Sequence, residues 1–405
     1  MKYVFCSSVY NMADYDEIAR KSKVPASLAD HNLNYNIILG LDEATGKPVT
    51  LVNNVQIPSY PKFPKILFHR QKWSHTEGAQ DINCGFINLP VLKHISRAIT
   101  TFKGLAKEIK AAKDEPVCVM TYDLHLGICL AIRWAKLFFP HIRTCAVLPD
   151  IPNAVIVASN GGNITAAGKF RAWVKMRFIK QFDSYVLLTE YMKNIAGLGD
   201  KPCAIVEGIY NNHQLPLPEK TVDKKVIFYS GQLNPAYGME NLLEAFQQIY
   251  QQNENYELWI CGGGGLVQRI SKLAEECPGV KYYGYVGAEK VRALQAEASV
   301  LVNPRQNIGE FTKYSFPSKT MEYLASGRPV VGYKLDGIPE EYDQYIQYVP
   351  DNSVEALRDM LIEICELNED KRMQIGVAAK EFILQNKNPK AMCQRIVDLW
   401  SNAHA

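Results

Sequence analysis

The sequence of 405 residues lacks the patterns that mark several specialised classes of protein. No apolar run approaches the roughly 18 residues that a membrane-spanning helix needs. The opening stretch, MKYVFCSSVYNMADYDE, has too short an apolar core for a secretory signal. The ten cysteines include no Cys-x-x-Cys pair and mostly have apolar neighbours, which disfavours a zinc site or a disulfide framework. We therefore expect a cytoplasmic protein with reduced thiols.

Patterns for binding metals and nucleic acids are missing as well. His, Asp and Glu nowhere show the spacing of metal ligands, so we predict that no metal or other cofactor is required. Residues 1–200 carry 24 basic and 16 acidic side chains, whereas the remainder carries 21 and 26. An excess this modest, without a recognition motif, argues against a nucleic-acid partner. The asymmetry instead favours two domains, of which the first faces something anionic.

Short apolar runs alternate with helical stretches along a chain long enough for two domains of roughly 200 residues each. Continuous apolar runs are typical of parallel strands covered on both faces. Strands separated by helices form the βαβ units of a doubly wound sheet. In the first half, strands are predicted at 2–6, 35–41, 83–88, 117–121, 143–148, 184–188 and 203–207, and helices at 92–112 and 124–138.

A polar connector, 208-GIYNNHQLPLPEKTVDKK-225, interrupts this alternation, which then restarts. In the second half, strands are predicted at 226–230, 256–261, 280–286, 299–303, 329–333 and 346–349, and helices at 239–252, 265–276, 288–297, 317–326, 353–367, 370–384 and 388–402. We therefore predict an N-terminal domain at 1–207, a linker at 208–225 and a C-terminal domain at 226–387. Ligands bind open α/β sheets at the carboxyl ends of the strands, so we expect the site in the cleft between two such domains.

Two glycine-containing loops open the second domain, in 226-VIFYSGQLNPAYGMENLLEAF-246 and 258-LWICGGGGLVQRI-270. Glycines at strand-to-helix junctions let backbone N–H groups approach a phosphate at the positive end of a helix. The spacing does not fit Gly-x-Gly-x-x-Gly, because the third glycine would fall on Val267. A tight strand-to-helix turn accounts for either loop equally well.

The segment 299-SVLVNPRQNIGEFTKYSFPSKTMEYLASGRPVV-331 is more specific. A strand ends near Arg305, and Phe316-Pro317-Ser318 leads into a helix whose first turn suits proline. Lys319 lies where helix N–H groups are unpaired, so cation and amides together could hold a diphosphate. Glu322 follows on the same face and could accept two ribose hydroxyls. The alternative is an ordinary surface ion pair at i, i+3.

The block FPSK-x-x-EYLA-x-G-x-PV resembles GT-B glycosyltransferases of family 4, especially the bacterial branch that builds capsular and extracellular polysaccharides. The resemblance is good from VIFYSGQL through VVGY and weaker in the first domain, at YVLLTEYM and AIVEGIYNN. It implies two Rossmann-like domains facing a cleft, with the last segment, 388–405, returning to the first domain. It also implies a retaining, metal-independent enzyme that moves a sugar from a nucleotide sugar, with a UDP-sugar favoured. The implied acceptor is a glycan or a lipid-linked molecule in surface polysaccharide biosynthesis.

The resemblance also implies roles for individual residues. Glu322 would bind the ribose of the donor, and the loop before it would present backbone amides and a side chain to the donor sugar. Gly231 would face the diphosphate, and the segment 282-YYGYV-286 would line the base pocket. His125 would be the active-site histidine. The implied donor-binding residues are Gly231, Gln232, Tyr285, Arg305, Tyr314, Ser315, Phe316, Pro317, Ser318, Lys319 and Glu322.

The chain departs from the family in the charges of this site. The family has a second glutamate eight residues before the position of Glu322, where this chain has Tyr314; Glu310 is the candidate catalytic substitute. The family's Arg and Lys after the first strand of the second domain align with Gln232 and Tyr237. Lys319 and Arg305 are the replacement cations.

A further departure concerns the first domain, where 7-SSVYNMADYDE-17 replaces the family's glycine-rich loop. These departures leave open a non-catalytic relative that binds a nucleotide or a partner transferase. A GT-B-shaped nucleotide-sugar epimerase is disfavoured by the FPSK–EY block.

Two single residues in the first domain have competing explanations. His125, in 121-TYDLHLG-127, follows a strand, but a lone histidine at an apolar helix start is also typical of a packed core. Asp150, in 147-VLPDIPN-153, follows another strand and is a candidate for acceptor binding; capping a proline-rich turn is the alternative.

A basic helix at 169-KFRAWVKMRFIKQF-182 interleaves cations with aromatic residues. It is either an ordinary amphipathic helix on a sheet or a contact with an anionic membrane surface. The basic, aromatic segment 62-KFPKILFHRQKW-73 favours the second alternative. The membrane interpretation predicts a peripheral location on the inner face of the membrane, near a lipid-linked acceptor.

Overall fold

The computed structural model describes residues 1–24, 28–151, 165–211 and 222–401. The chain forms two compact units. Unit 1 comprises Met1–Ile209 together with the C-terminal segment that begins at Pro389, and unit 2 comprises Tyr210–Asn388. Most of the predicted linker, at 212–221, lies outside the described residues.

The strands of unit 1 form one mixed sheet and a separate two-stranded ribbon, and those of unit 2 form one parallel sheet. The strands are β1 Lys2–Cys6, β2 Thr50–Asn53, β3 Leu67–Phe68, β4 Gln71–Trp73, β5 Asp81–Asn83, β6 Phe86–Ile87, β7 Val117–Tyr122, β8 Arg143–Leu148, β9 Ser184–Leu187, β10 Cys203–Ile205, β11 Lys225–Gln232, β12 Tyr256–Gly263, β13 Val280–Tyr282, β14 Val300–Asn303, β15 Val330–Gly332 and β16 Ile346–Tyr348.

Helices cover the sheets and connect most of the parallel strands, as doubly wound folds require. They are α1 Met12–Lys21, α2 Leu28–Thr45, α3 Leu92–Ala111, α4 Leu126–Phe138, α5 Ala166–Ile179, α6 Tyr191–Ile195, α7 Met239–Gln252, α8 Val267–Glu276, α9 Ala288–Glu297, α10 Ser318–Ser326, α11 Val354–Glu366, α12 Glu369–Asn386 and α13 Pro389–Ser401. Short 3-10 turns lie at Pro235–Tyr237, Glu310–Tyr314 and Glu340–Tyr342.

The sheet of unit 1 has the order β10-β9-β8-β7-β1-β2-β5-β4, in which β4 alone among the described strands of that sheet runs antiparallel to its neighbour. The chain moves outward from β1 to β2 and β5, and then continues on the other side of β1 with β7 to β10. Strand order therefore reverses between β1 and β7. Such a reversal opens a crevice at the carboxyl ends of the two strands, where ligands of open α/β sheets bind.

The structure contradicts two strand predictions in this unit. Residues 35–41 belong to α2, which packs against α13 and shares the core with the sheet; Ile37, Ile38 and Leu41 are buried with Met392 and Ile396. A helix buried on two sides has a continuous apolar run, which resembles a buried strand. The predicted strand 83–88 is divided between β5 and β6, which belong to different sheets.

The sheet of unit 2 has the order β13-β12-β11-β14-β15-β16, and its paired strands are parallel. Strand order reverses between β11 and β14. Gly238 lets the start of α7 approach this point: its φ is 72°, and a Cβ atom there would lie 1.7 Å from the carbonyl oxygen of Pro304. Only glycine accommodates both conditions.

Candidate functional site

Two hydrogen-bonded contacts hold α10 at the carboxyl edge of the unit 2 sheet. The buried Tyr323 hydroxyl accepts from the Ser230 N–H at 2.7 Å and donates to the Ser230 carbonyl oxygen at 3.1 Å. The Asn303 Nδ2 atom donates to Thr320 Oγ1 at 2.9 Å. Because Ser230 belongs to β11 and Asn303 ends β14, α10 begins beside the reversal of strand order, the expected ligand position of such a sheet.

Lys319 and Glu322 lie on one face of α10 and pair with each other, with 2.7 Å between Lys319 Nζ and Glu322 Oε2. Both side chains are partly exposed. The arrangement matches the surface-pair alternative, and it also leaves a cation and a carboxylate accessible to a ligand. Among the described residues, no side chain caps the start of this helix at Pro317. Its first N–H groups therefore add to the positive charge of Lys319.

The residues that lead into α10 are divided between core and surface. Phe316 is buried, with its ring centroid 5.3 Å from that of Tyr342, and Pro317 is buried beside it. Ser318 is exposed as the first residue of the helix. Phe316 thus anchors the segment, while Ser318 faces solvent.

Arg305 is a buried cation next to this helix start. Its Nη2 donates to Ser315 Oγ at 2.9 Å, and its guanidinium lies 4.6 Å from the ring centroid of Phe311. The Nε atom has no hydrogen-bond partner within the described part of the chain, and burial lowers the pKa of the guanidinium. The guanidinium also lies 5.9 Å from the ring of Tyr237. A cation therefore lies beside Tyr237, and Ser315 orients it.

Glu310 and Tyr314 lie on an exposed 3-10 turn and contact each other. Lys313 Nζ donates to Glu310 Oε1 at 2.9 Å, and the Tyr314 hydroxyl donates to Glu310 Oε2 at 3.3 Å. The hydrogen bond from Lys313 is the main reason why the pKa of Glu310 is lowered. Glu310 is thus an accessible, ionised carboxylate, and the two positions considered for the missing glutamate share one surface.

Two glycines of the second loop, Gly262 and Gly264, allow close packing of the backbone. Both have positive φ values, and added Cβ atoms would lie 1.9 Å from the oxygen of Gly231 and 2.5 Å from that of Leu233. The tight-turn alternative accounts for these two glycines. That the loop admits a phosphate stays a prediction.

The remaining predicted donor residues of unit 2 lie at strand ends and are accessible. Gln232 is exposed at the end of β11. Tyr285 is 93% exposed and follows Gly284 beyond β13. An exposed tyrosine offers an aromatic face on which a base can stack, but its side chain does not pack into a formed pocket.

His125 lies in unit 1 at the matching reversal of strand order, between the end of β7 and the start of α4. Its Nε2 is 3.4 Å from Ser8 Oγ, just beyond β1, and 3.9 Å from Asp123 Oδ2. Lys175 Nζ bonds Asp123 at 3.0 Å. Burial lowers the pKa of His125, so the imidazole is neutral near pH 7. Asp123 has a φ of 56°, a left-handed conformation that is uncommon outside glycine and concentrates at functional sites.

Asp150 is exposed just beyond the end of β8, the next strand of this sheet. Desolvation is the main reason why its pKa is raised to about 6, and repulsion from Asp30 and Asp123 adds to it. A carboxyl group that titrates near neutrality at a strand end is a candidate for a functional group.

Two buried cations on α3, Lys93 and Arg97, were missed at the level of sequence. Arg97 Nη2 donates to the carbonyl oxygen of Val55 at 2.5 Å, and Lys93 Nζ donates to that of Ile57. Burial lowers the pKa of Lys93 to about 7. Lys and Arg four residues apart on a helix normally indicate a solvent-facing side, so no sequence signal marks these two as buried.

The basic helix α5 exposes two aromatic rings. Phe170 and Trp173 are each 64% exposed, with ring centroids 6.0 Å apart. An ordinary amphipathic helix buries its aromatic residues, so this pair favours a surface contact. Within residues 1–24, 28–151, 165–211 and 222–401, no helix is both long and apolar enough to cross a bilayer.

A family model described as "Glycosyl transferases group 1" matches residues 216–382, which cover most of unit 2. The chain is 26% identical over 167 residues to WcaL of Salmonella typhimurium, named for a glycosyltransferase role in colanic acid biosynthesis. It is 23% identical over 182 residues to a GDP-mannose-dependent mannosyltransferase of Mycobacterium tuberculosis that acts on phosphatidylinositol monomannoside. These matches cover 40% and 44% of this chain and span 41% and 47% of the relatives.

Solved structures are similar over nearly the whole chain. Sucrose-phosphate synthase from Thermosynechococcus elongatus has a TM-score of 0.63 at 16% identity, covering 100% of this chain and 99% of that one. HepE from Anabaena, solved in complex with UDP, has a TM-score of 0.58 at 15% identity, covering 99% and 100%. These similarities confirm the predicted fold, an α/β protein of the GT-B class.

Proposed function

We propose that this chain is a retaining, metal-independent glycosyltransferase that moves a sugar from a nucleotide sugar to an acceptor in surface polysaccharide biosynthesis. One observation carries the proposal: the start of α10, with Lys319 and Glu322 accessible, lies at the reversal of strand order in unit 2. The group 1 match over the same region supports it, as do relatives named for polysaccharide biosynthesis.

Unit 2 is proposed to bind the donor. Lys319 and the first N–H groups of α10 hold the diphosphate, and Glu322 accepts the ribose hydroxyls. Arg305, whose Nε lacks a partner in the described structure, supplies a second positive charge nearby. Each charge-assisted hydrogen bond of this kind contributes about 1.5–3 kcal/mol. Two such cations therefore compensate for the family's Arg and Lys at Gln232 and Tyr237.

The main electrostatic demand of transfer without a metal is the negative charge that develops on the departing nucleoside diphosphate. Preorganised cations and helix N–H groups stabilise that charge at no reorganisation cost. Lys319 and Arg305 fill this role in the proposal. We assign His125, neutral near pH 7, to the transfer step, and Asp150 to the acceptor. Glu310 is proposed as the carboxylate that replaces the family's first glutamate.

We favour a UDP-sugar as donor. HepE was solved with UDP, whereas the mycobacterial relative is named as GDP-mannose-dependent, so both bases belong in the test. The purified chain is incubated with a panel of UDP- and GDP-sugars and a membrane extract as acceptor source, and release of the nucleoside diphosphate is measured. Release with a UDP-sugar that persists in EDTA is expected.

The alternative function is a non-catalytic relative that binds a nucleotide or a partner transferase. The losses at Tyr314, Gln232 and Tyr237 favour it. Absence of nucleotide release with every donor and acceptor, combined with saturable binding of UDP or GDP, would establish this alternative and rule out the transferase.

Contact with an anionic membrane through α5 is also proposed. The exposed pair of Phe170 and Trp173 on a basic helix supports it. Binding of the chain to anionic vesicles should exceed binding to neutral vesicles, and replacing both aromatic residues by Ser should reduce it. Equal sedimentation with both kinds of vesicle would exclude electrostatic docking.

A further inference from the structure

Helix α3 buries cations and exposes apolar side chains, which is the reverse of an ordinary amphipathic helix. Its Lys93 and Arg97 are buried, whereas Leu92, Ile95 and Ile99 are 46%, 48% and 42% exposed. The exposed residues are spaced at i, i+3 and i+7, so they form one stripe along the helix. An apolar stripe left in solvent while cations are buried indicates that something apolar meets this face.

The stripe leads to a pocket of about 440 Å³ between α3, β3 and β6. Phe68 and Phe86 form one wall, stacked with ring centroids 4.7 Å apart, and Ile99 and Thr100 line the helix side. Gly85 lies in the lining, where a Cβ atom would be 2.7 Å from the oxygen of Phe68. The pocket is therefore a mostly apolar concavity of the size that small ligands occupy, roughly 300–1,000 Å³.

The volume of the pocket disfavours a whole helix as the occupant. A helix with its side chains is about 10–12 Å wide, so this volume would hold no more than about one turn of it. A single flexible apolar chain fits such a volume without this restriction.

Exposed cations border the pocket. Segments 60–73 and 84–103, which supply β3, β6 and the first half of α3, contain seven Lys and Arg residues and no Asp or Glu, and two of the seven, Lys93 and Arg97, are buried. The intervening segment, which supplies Ile82 of the lining, contains Glu77 and the buried Asp81, which is paired with His75. Arg70 and Lys103 line the pocket itself, and both are exposed. Lys65 Nζ lies 4.9 Å from the ring centroid of Phe68. An apolar cavity edged by cations is complementary to an apolar chain that bears an anionic head.

We propose that this pocket binds the apolar chain of an anionic lipid, with Arg70 and Lys103 beside the charged head and the stripe of Leu92, Ile95 and Ile99 against the neighbouring lipid. Binding concerns unit 1 alone and does not depend on the transferase proposal. That such a lipid carries the sugar acceptor rests on the proposed function.

The probe is lysophosphatidylglycerol, a lipid with one chain and an anionic head, kept below its micelle concentration and titrated into the full chain by calorimetry. Lysophosphatidylcholine tests the charge of the head, and glycerol phosphate tests the head alone. We expect lysophosphatidylglycerol to bind several-fold more tightly than the choline lipid, and glycerol phosphate not to bind. Binding of glycerol phosphate as tight as that of the lipid would overturn the proposal.

Variants separate the pocket from general surface charge. Thr100→Phe fills the pocket without a change in charge and should weaken lipid binding by at least about tenfold, or 1.4 kcal/mol. Ile99→Ser, at a partly exposed position that tolerates substitution, should weaken binding in the same direction if Thr100→Phe fails to fold. Arg70→Gln with Lys103→Gln should weaken binding of the anionic lipid alone.

The matched control is Lys107→Gln with Lys110→Gln, which removes the same charge from exposed positions further along α3. If this control loses as much binding of the anionic lipid as Arg70→Gln with Lys103→Gln does, the proposal is overturned. Unchanged lipid binding in both Thr100→Phe and Ile99→Ser would overturn it as well. A dimer in sedimentation that Ile99→Ser dissociates would overturn it in favour of a second copy on this face. Nucleotide release, measured in the same variants with a soluble acceptor, should be unchanged; if release is absent while lipid binds, only the transferase proposal fails.

Discussion

Both units contain an open α/β sheet in which strand order reverses, but they arrange charge differently near its carboxyl edge. In unit 2, Lys319 and Glu322 are presented on the surface of α10, which one buried tyrosine hydroxyl ties to β11. In unit 1, Lys93 and Arg97 are buried against backbone carbonyl groups, and an apolar stripe faces outward. An edge with accessible paired charges suits a soluble, highly charged ligand, whereas the second arrangement suits an amphipathic one.

The match to the family model follows the same division. The group 1 family model covers residues 216–382, which correspond to unit 2, and the curated relatives match about two fifths of the chain. The structural similarity extends over both units. The family match therefore concerns unit 2, whereas the similarity of fold concerns both units.

The largest expected effect concerns an ionic cluster in unit 1 that links α2, β5 and the loop after β4. His75 is buried between two carboxylates, with Nδ1 2.6 Å from Asp81 Oδ2 and Nε2 2.9 Å from Asp42 Oδ2. His75→Gln should cost about 3–5 kcal/mol in the free energy of unfolding, because it leaves buried carboxylates without their cation. Hydrogen exchange should show the loss in unit 1 peptides, with unit 2 peptides and the control His141→Gln unaffected.

The same cluster predicts that the stability of unit 1 decreases as the pH rises. Burial opposes protonation of His75, but the two aspartates outweigh it and raise the pKa to about 9. Because this pKa exceeds the ordinary value of 6.5, the contribution to stability is fully present below about pH 6.5 and is lost as the pH rises through 9. Unit 1 of the wild type should lose protection in that range, and a loss of equal size in His75→Gln would contradict the assignment.

The second prediction concerns a substitution that should destabilise unit 2 and leave unit 1 unaffected. Gly238→Ala places a Cβ 1.7 Å from the Pro304 oxygen at a φ of 72°. The backbone cost of about 1–2 kcal/mol and an overpacking cost of about 1–3 kcal/mol should both reduce the stability of unit 2. Gly284→Ala is the matched control, since its φ is 67° and an added Cβ meets nothing within 4 Å among the described atoms. Equal losses in the two variants, measured by urea unfolding, would show that the approach to Pro304 is unimportant.

The third prediction sharpens the role of the accessible pair. Glu322→Ala should raise the donor KM by about 10- to 150-fold, corresponding to loss of a charge-assisted hydrogen bond of about 1.5–3 kcal/mol. Stability should change by less than about 1 kcal/mol, because exposed ion pairs contribute little. Steady-state kinetics beside thermal unfolding checks both, with Glu275→Ala on α8 as the control. An unchanged KM would show that Glu322 and Lys319 form a surface ion pair in which Glu322 has no role in donor binding.

The smallest expected effect lies at Asp150. With a pKa of about 6, its carboxylate loses charge as the pH falls through 6, so acceptor-dependent kcat/KM should decline there. Asp150→Asn should flatten that limb of the pH profile and leave donor KM unchanged. An unaltered profile in the variant would assign the limb to another group.

The helices of unit 2 were predicted closely from sequence because apolar residues recur in them at helical spacing. The predicted helices 239–252 and 288–297 coincide with α7 and α9. In unit 1, the predicted strand at 35–41 belongs to α2, where burial on two sides gives a helix a continuous apolar run. Local periodicity predicts elements well where one face of each element remains in solvent.

The candidate site was only partly predictable, for a related reason. Lys319 and Glu322 are three residues apart, so their shared face follows from helix geometry. The bond from Tyr323 to Ser230 joins residues 93 positions apart, and no local pattern encodes it. His75, Asp42 and Asp81 also meet only through tertiary structure, as does Arg305 with the ring of Tyr237.

Helix α13 has a consequence for how the chain is made. It buries Met392, Cys393, Ile396 and Trp400 in the core of unit 1, and a Cβ at Gly40 would lie 2.4 Å from the oxygen of Pro389. Because α13 follows unit 2 in the chain, we expect the core of unit 1 to be completed only after unit 2 has been synthesised. Unit 2 is contiguous in the chain, so its own core does not depend on α13.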